Sequence, residues 1–216
     1  MAQLFRKGAN SAFRFILGAM ALGIFGFWGI GYAIYRSPYT TLQNVPRTQT
    51  VPFSHQHHVS GLGLDCRYCH TSVEESAFAG IPSTETCMTC HSKVWTDAPM
   101  LAPVRQSFAQ HEPLEWNRVH QLPDFVFFNH SVHVQKGIGC AECHGRVDQM
   151  PLTWQAASLR MEWCLQCHRN PAAYVRPRDK VFDMSYTPPR NQETFGKKLV
   201  AEYKIRSLTR CSTCHR

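Results

Sequence analysis

All ten cysteines of this 216-residue chain lie in five copies of the motif Cys-x-x-Cys-His. Two thiols three positions apart can each form a thioether with one porphyrin vinyl group, and the histidine that follows can bind the iron. The motifs therefore predict five covalently bound c-type haems. The thioether residues are Cys66, Cys69, Cys87, Cys90, Cys140, Cys143, Cys164, Cys167, Cys211 and Cys214. The proximal iron ligands are His70, His91, His144, His168 and His215.

Other uses of paired cysteines fit this pattern less well. Structural zinc takes two Cys-x-x-Cys pairs per tetrahedral site, so an odd number of pairs does not suit it, and zinc needs no histidine after each second cysteine. A thioredoxin-like redox pair is expected once, near a βαβ pattern, which this chain lacks. A disulfide framework is conceivable for an exported protein but leaves the five histidines unexplained.

Composition sets the expected fold. The region from Cys66 onward must wrap five haems in few residues, so porphyrin faces supply much of its apolar core, and 13 Pro and 13 Gly interrupt regular structure. We therefore predict a mostly irregular and short α-helical multihaem cytochrome c with one N-terminal transmembrane helix and little β-structure.

The net charge of +8 does not indicate nucleic-acid binding. Haem propionates would offset much of this charge, and Lys and Arg side chains pair well with such groups. No long basic run or stacking array accompanies the charge, so nucleic acid is excluded as a partner.

Residues 15–35 contain no charged side chain and are long enough to cross a membrane once. Arg6, Lys7 and Arg14 precede this segment, so the positive-inside rule places residues 1–14 in the cytoplasm and the haem motifs outside it. A cleaved signal peptide normally has a shorter apolar core, and 31–33 is a weak cleavage site, so a retained anchor is favoured.

Small residues form a stripe on one face of this segment. Ala19, Gly23, Gly26 and Ala33 follow helical spacing, which lets another membrane helix approach closely. The stripe predicts a partner membrane subunit.

The chain contains an internal repeat. Its two copies begin with similar runs, Phe53-Ser-His55-Gln-His-His58-Val and Phe128-Asn-His130-Ser-Val-His133-Val, which start about 75 residues apart. Two haem motifs follow each run. Duplication of a dihaem unit explains this similarity. Histidines at i and i+3 share a helix face, so each pair can serve two different haems. The repeat therefore predicts His55, His58, His130 and His133 as distal iron ligands, whereas His57 has no counterpart and no assigned role.

The fifth motif lies outside the repeat, and its distal ligand is open. His120 is the first candidate and His111 the second, with Met150 and Met184 as sulfur alternatives. A methionine would raise the reduction potential relative to a second histidine. Met150 could also replace a histidine at one of the repeat haems.

These features divide the chain into segments. A stalk is expected at 36–52, dihaem modules at 53–96 and 124–170 with a proline-bearing linker at 97–123, and a C-terminal segment with the fifth haem at 171–216. Phe195, Leu199 and Tyr203 recur at helical spacing within 192–208, which predicts a short helix with these residues in the core.

Three runs of the sequence carry a family resemblance: WNRVHQLPDFVFFNHSVHV at 116–134, CAECHG at 140–145 and MEWCLQCHR at 161–169. With the motif count and single anchor, they resemble the pentahaem cytochrome c subunit of bacterial alternative complex III, a quinol-oxidising assembly. The resemblance covers nearly the whole chain.

The resemblance implies an electron-transfer subunit without a catalytic site of its own. Its implied partners are an iron–sulfur/molybdopterin-like subunit, polytopic quinol-binding subunits and a periplasmic acceptor such as a soluble cytochrome c, a blue copper protein or an oxidase. Its implied place is the periplasmic side of the cytoplasmic membrane. The alternatives are a small multihaem quinol dehydrogenase, against which the long stalk argues, and an oxyanion reductase, which needs an open haem coordination position.

Overall fold

The structure is a computed structural model that describes residues 5–215. The chain divides into two compact units, with the boundary between Gln43 and Asn44. The first unit carries the apolar segment, and the second carries all five haem motifs.

The first unit contains one long helix, α1 (Ala9–Arg36), followed by a single turn, α2 (Pro38–Thr41). With 28 residues and a mean hydropathy of 1.7 in its most apolar window, α1 is long and apolar enough to cross a membrane. It begins six residues before the predicted segment and ends one residue after it. Ser37 ends α1 in an extended conformation because the following Pro38 disfavours helical backbone before it.

The second unit consists of short helices joined by irregular chain, as predicted. Residues 5–215 contain no β-strand beyond two isolated bridges, Val126 with His215 and Ile138 with Val175. The α-helices are α3 (Cys66–Cys69), α4 (Thr84–His91), α5 (Ala102–Gln110), α6 (His130–Gln135), α7 (Cys140–His144), α8 (Met161–Arg169), α9 (Gln192–Glu202) and α10 (Cys211–Cys214). A π-helix spans Gln56–Gly61, and 3₁₀ turns span Pro99–Leu101, Val147–Gln149, Pro171–Ala173 and Arg178–Lys180.

Each haem motif forms a helical turn, which places both of its cysteines on one side. Positions i and i+3 are neighbours on a helix surface, so the two thiols of one motif face the same way. In α3, the turn is started by Asp65, whose carboxylate accepts a hydrogen bond from the backbone N–H of Arg67 at 2.8 Å. The histidine ends or directly follows the turn.

Two small apolar clusters support the motifs. Val51, Leu101 and Val104 are buried around the second motif and contact Cys87 and Met88. Val175, Leu199 and Tyr203 are buried between the fourth and fifth motifs, with Phe195 packed against them. The C-terminal helix predicted from Phe195, Leu199 and Tyr203 is therefore present as α9, with these residues in the core.

Two segments are more ordered than their sequence indicated. The expected stalk at 36–52 is bonded to the second unit from Asn44 onward: Asn44 N–H donates to Gln155 O at 2.8 Å, and Val51 is buried. The expected linker at 97–123 contains α5 and supplies Leu101 to the first cluster. Apolar residues within both polar-looking stretches explain the difference, because burying them offsets the entropy of ordering the chain.

Candidate haem sites

The two repeat histidine pairs lie at short helices of different type, a π-helix in the first repeat and an α-helix in the second. His130 and His133 lie on α6, whereas the π-helix at Gln56–Gly61 carries His58 and begins directly after His55. The first repeat has one more residue between its second histidine and its first cysteine than the second repeat. Hydrogen bonds in a π-helix join residues five apart, one more than in an α-helix. The π-helix therefore accommodates the extra residue without changing the histidine spacing.

Each repeat histidine lies opposite one motif histidine. The ring centres are 6.5 Å apart for His55 and His70, and 6.2 Å for His58 and His91. In the second repeat they are 6.4 Å apart for His130 and His144, and 6.1 Å for His133 and His168. Two histidines three residues apart therefore face two different motifs in both repeats.

These separations fit an iron held between two imidazoles. A metal–imidazole bond is about 2.0 Å long, and a five-membered ring with bonds of about 1.35 Å has its centre about 1.2 Å from the nitrogen. Two imidazoles on opposite sides of one metal therefore have ring centres about 6.4 Å apart. The four observed distances, 6.1–6.5 Å, bracket this value. The residues present thus suit six-coordinate haem at four motifs.

The repeat extends to the orientation of the rings. The imidazole planes are nearly parallel at the first motif of each pair, with angles of 9° and 15°. They are steeply inclined at the second motif, with angles of 67° and 69°. Phe53 and Phe128 take equivalent places and stack on His58 and His133 at 4.4 and 4.5 Å. Packing against this phenylalanine sets the same orientation in both modules.

Hydrogen bonds occupy the Nδ1 atoms and leave Nε2 for a metal. His58 and His133 each bond the carbonyl four residues earlier, Ser54 O at 2.9 Å and Asn129 O at 2.7 Å. The motif histidines His70, His91 and His215 bond the carbonyls of Gly80, Val94 and Phe125 at 2.7, 3.1 and 3.3 Å. An Nδ1–H that donates to a carbonyl fixes the tautomer in which Nε2 is unprotonated and able to bind iron.

The other two repeat histidines are held by the opposite module. Nδ1 of His55 lies 3.0 Å from Oγ1 of Thr153, and Nδ1 of His130 lies 2.8 Å from Ala77 O. The exchange is reciprocal, since each module orients one imidazole of the other. Neither Thr153 nor Ala77 could be predicted from the sequence, because a hydroxyl in a loop and a backbone carbonyl leave no pattern.

Burial keeps several of these imidazoles neutral. Burial lowers the pKa of His55 to about 4, with a further contribution from His70. It lowers the pKa of His144 to about 3, assisted by His120 and His130. The pKa of His133 is also lowered by burial. A neutral imidazole is the form that binds a metal, so the electrostatics of these sites agree with their geometry.

His120 does not lie where the sequence placed it. Its Nε2 is 3.2 Å from Nδ1 of His144, and the ring centres are 4.3 Å apart. This position is behind a motif histidine of the third site and does not fit the expectation that His120 binds the fifth haem. The backbone bridge of Val126 to His215 brings the segment after His120, not His120 itself, to the fifth motif.

The other candidates for the fifth haem are Met150, Met184 and His111, and the structure shows the surroundings of each. Met150 and Met184 are buried, and Met150 O accepts a hydrogen bond from the backbone of Gln56. His111 ends α5, and its charge acts on Glu85 in α4. Within residues 5–215, the ring that packs on His215 is Phe125, at 5.7 Å. The distal ligand of the fifth haem therefore remains a prediction without a structural partner.

The thiols are not arranged as a zinc site or a disulfide framework. All ten cysteines are free. Among residues 5–215, no three His, Cys, Asp or Glu side chains converge as a metal-binding group. The cysteines instead remain paired within their motifs, as haem attachment requires.

One protein family and one curated protein are similar to parts of this chain. Residues 126–216, with the third, fourth and fifth motifs, match the family described as cytochrome c7 and related cytochrome c. A 131-residue stretch is 33% identical to the menaquinone reductase, multihaem cytochrome c subunit, of Nitratidesulfovibrio vulgaris. That stretch is 60% of this chain and spans 57% of the relative. Residues 126–216, which carry the last three Cys-x-x-Cys-His motifs, are thus similar to multihaem cytochromes c, and the helical fold agrees with that similarity.

Proposed function

We propose that this chain is a membrane-anchored electron-transfer subunit that carries five c-type haems and relays electrons between a quinol-oxidising membrane complex and an extracytoplasmic acceptor. The observation that carries the proposal is the opposition of four repeat histidines to four motif histidines at 6.1–6.5 Å. Iron with two protein ligands has no open position for a substrate, so such sites exchange electrons and do not activate small molecules.

The haem irons supply one-electron Fe(III)/Fe(II) chemistry, and the residues of this chain determine how easily it occurs. His55, His58, His130 and His133 are the proposed distal ligands. The Nδ1 hydrogen bonds hold each ring in a single orientation, so little rearrangement accompanies a change of charge.

The membrane role rests on α1 and on the relatives. We propose that residues 15–35 anchor the chain in a bacterial cytoplasmic membrane, with the N-terminus inside and the haem domain on the periplasmic side. The curated relative is a subunit of a menaquinone reductase. The proposed partners are therefore the other subunits of a quinone-linked complex, of which alternative complex III, with an iron–sulfur/molybdopterin-like subunit and polytopic quinol-binding subunits, is the specific form that the sequence favours.

The proposal is tested on the complex purified in mild detergent from its native membrane. We expect five haems c per chain by pyridine haemochrome, low-spin ferric signals from at least four of them, and reduction of these haems when a menaquinol analogue is added. Haem reduction by quinol with the isolated subunit would instead favour a small quinol dehydrogenase. A native high-spin haem that turns over nitrite or sulfite would contradict the relay and favour a reductase.

The direction of electron flow has a second candidate. The relative's name describes reduction of menaquinone, in which the quinone gains electrons. Adding a pre-reduced soluble cytochrome c and a menaquinone analogue to the same complex distinguishes the two directions. Net quinone reduction under these conditions would reverse the proposed direction and leave the relay itself intact.

A further inference from the structure

The first and second motifs are direct neighbours. Their second histidine ligands, His55 and His58, come from one turn of helix. Tyr68, inside the first motif, also hydrogen-bonds to Thr89, inside the second, with Oη and Oγ1 2.8 Å apart.

The first motif also adjoins the third, in the other module. The thiol groups of Cys66 and Cys140 are close enough to interact, which lowers the pKa of Cys66 and raises that of Cys140. Near these thiols, the backbone N–H of His130 donates to Ala77 O at 3.2 Å, and that of Ser131 donates to Ser76 O at 3.1 Å. The loop after the first motif is thereby bonded to the helix that faces the third.

The same exchange occurs in the opposite direction. The backbone N–H of Gln56 donates to Met150 O at 3.1 Å, and the Ser60 hydroxyl donates to Asp148 O at 2.6 Å. The first repeat helix is therefore bonded to the loop that follows the third motif. Two duplicated units that exchange equivalent contacts meet at their equivalent sites, which here are the first and third motifs.

The third, fourth and fifth motifs continue from this centre. His130 and His133 come from the single helix α6 and face the third and fourth motifs, respectively. At the next step the Ser207 hydroxyl, just before the fifth motif, donates to His168 O at 2.7 Å.

The fifth motif meets the fourth and is attached to the second module. The field of Cys214, after burial, raises the pKa of Cys164 in the fourth motif. The backbone N–H of Phe127 donates to Cys214 O at 2.8 Å, which ties the fifth motif to the segment before α6. These bonds join the fifth motif to the fourth and to the second module.

We infer that the five haem sites form one unbranched series in the order second, first, third, fourth, fifth motif, which differs from their order along the chain. The inference rests on the proposed relay function and specifies its path. Each step is a one-electron exchange in which one site loses the electron that its neighbour gains. The two cysteines with exposed side chains, Cys90 and Cys211, belong to the second and fifth motifs. These two sites are the ends of the series, where electrons enter and leave.

The order is tested by locating the irons in the holoprotein. Anomalous scattering at the iron edge from crystals, or a cryo-EM map of the complex, gives five iron positions that can be assigned from the attached cysteines. We expect the first-motif iron to have the second- and third-motif irons as its nearest neighbours, and the second- and fifth-motif irons to have one near neighbour each. A second-motif iron next to the third-motif iron, or a branched set, would overturn the order. Fewer than five irons would contradict the proposed function instead.

A matched pair of variants tests the same order in solution. His58→Met and His133→Met each raise the potential of one haem, because methionine opposite histidine favours Fe(II). That haem is then reduced first, and its added electron lowers the apparent potentials of its neighbours. Site-resolved redox titrations by NMR should show one displaced neighbour for His58→Met and two for His133→Met. Two displaced neighbours for His58→Met would place the second motif inside the series and contradict the inference.

Discussion

Nε2 of His120 lies 3.2 Å from Nδ1 of His144, so the motif histidine of the third site faces an imidazole where others face a backbone carbonyl. The equivalent residue of the first module, His70, bonds Gly80 O instead. With Nε2 of His144 on the iron, its Nδ1–H donates to Nε2 of His120. Such a second hydrogen bond orients a ligand and increases its electron donation to the metal. We therefore propose that His120 positions His144 as a ligand of the third haem.

Replacing His120 with leucine should raise the reduction potential of the third haem and leave that of the first unchanged. Without an acceptor, His144 donates less electron density, and Fe(III) loses more stabilisation than Fe(II). Each tenfold change in relative affinity corresponds to about 59 mV for a one-electron couple, and loss of a second-sphere partner is commonly worth about tenfold or more. Potentiometric titration followed by EPR measures the shift.

His120→Gln is the control, because its side-chain amide oxygen can accept the same hydrogen bond. It should restore most of the wild-type potential. An equal shift in both variants would mean that His120 acts by packing alone.

Removing one distal histidine should convert one haem to a high-spin form. His58→Ala leaves the iron at His91 without the ring that faces it at 6.2 Å. We expect a new high-spin ferric EPR signal that accounts for one haem per chain. His57→Ala is the matched control, since His57 is exposed, adjacent in sequence and packed on Trp95 at 5.7 Å. A high-spin signal in the His57 variant instead would reassign the ligand.

The Thr153 hydroxyl, which the second module supplies to His55 of the first, can be removed without changing the shape of the side chain. Thr153→Val deletes the Oγ1 that lies 3.0 Å from Nδ1 of His55. The expected loss is about 0.5–1.5 kcal/mol in the free energy of unfolding, the net value of one hydrogen bond. The EPR g-values of the first haem should also change, because the His55 ring is free to rotate. Thr153→Ser keeps the hydroxyl and should leave both quantities near wild type; if it does not, the methyl group and not the hydrogen bond orients His55.

An acidic group that helps join the modules should make stability depend on pH. Two hydrogen bonds from Arg146 lower the pKa of Asp148 below its usual 3.8, with a weaker contribution from Ser60. The ionised carboxylate of Asp148 stabilises the folded protein. This contribution to the free energy of unfolding is fully present above pH 3.8 and is lost as the pH falls through the lowered pKa. Asp148→Asn should therefore lower the unfolding temperature near neutral pH.

The difference between wild type and Asp148→Asn should shrink as the pH falls below 3.8. Thermal unfolding of both proteins at several pH values measures this, and acid effects on the haem ligands cancel because both proteins share them. A difference that grows as the pH falls would show the opposite linkage. In that case Asp148 would be more easily protonated in the folded state than in the unfolded one.

Patterns with a fixed spacing were readable from the sequence, whereas contacts between distant segments were not. The motif cysteines and the pairs His55–His58 and His130–His133 are local, and their spacing already implies a shared helix face. The π-helix also has a local cause, the one extra residue in the first repeat. The fold class followed from the same local features and from the wrapping of several porphyrins by a short chain.

The position of His120, and the hydrogen bonds of Thr153 to His55 and of Ala77 to His130, depend on how the two modules pack. A single imidazole within a loop has no period, and a carbonyl acceptor does not depend on residue type, so neither leaves a sequence signal. The ordering of 36–52 and 97–123 was missed for a related reason. A few buried residues such as Val51 and Leu101 order a polar, proline-bearing stretch without producing a regular pattern.

The close approach of α9 to the turn after the fourth motif gives a last prediction. Gly196 of α9 lies against the backbone carbonyl of Ala172, and a Cβ at this position would overlap that carbonyl. Alanine is the better helix former by about 1 kcal/mol, but overpacking against a backbone costs about 1–3 kcal/mol. Gly196→Ala should therefore lower the free energy of unfolding, and Lys198→Ala, on the exposed face of the same helix, should not. Because α9 precedes the fifth motif, the displaced helix should also shift the potential of the fifth haem more than that of the first. Equal stability of the two variants in urea unfolding would mean that α9 does not pack closely on this turn.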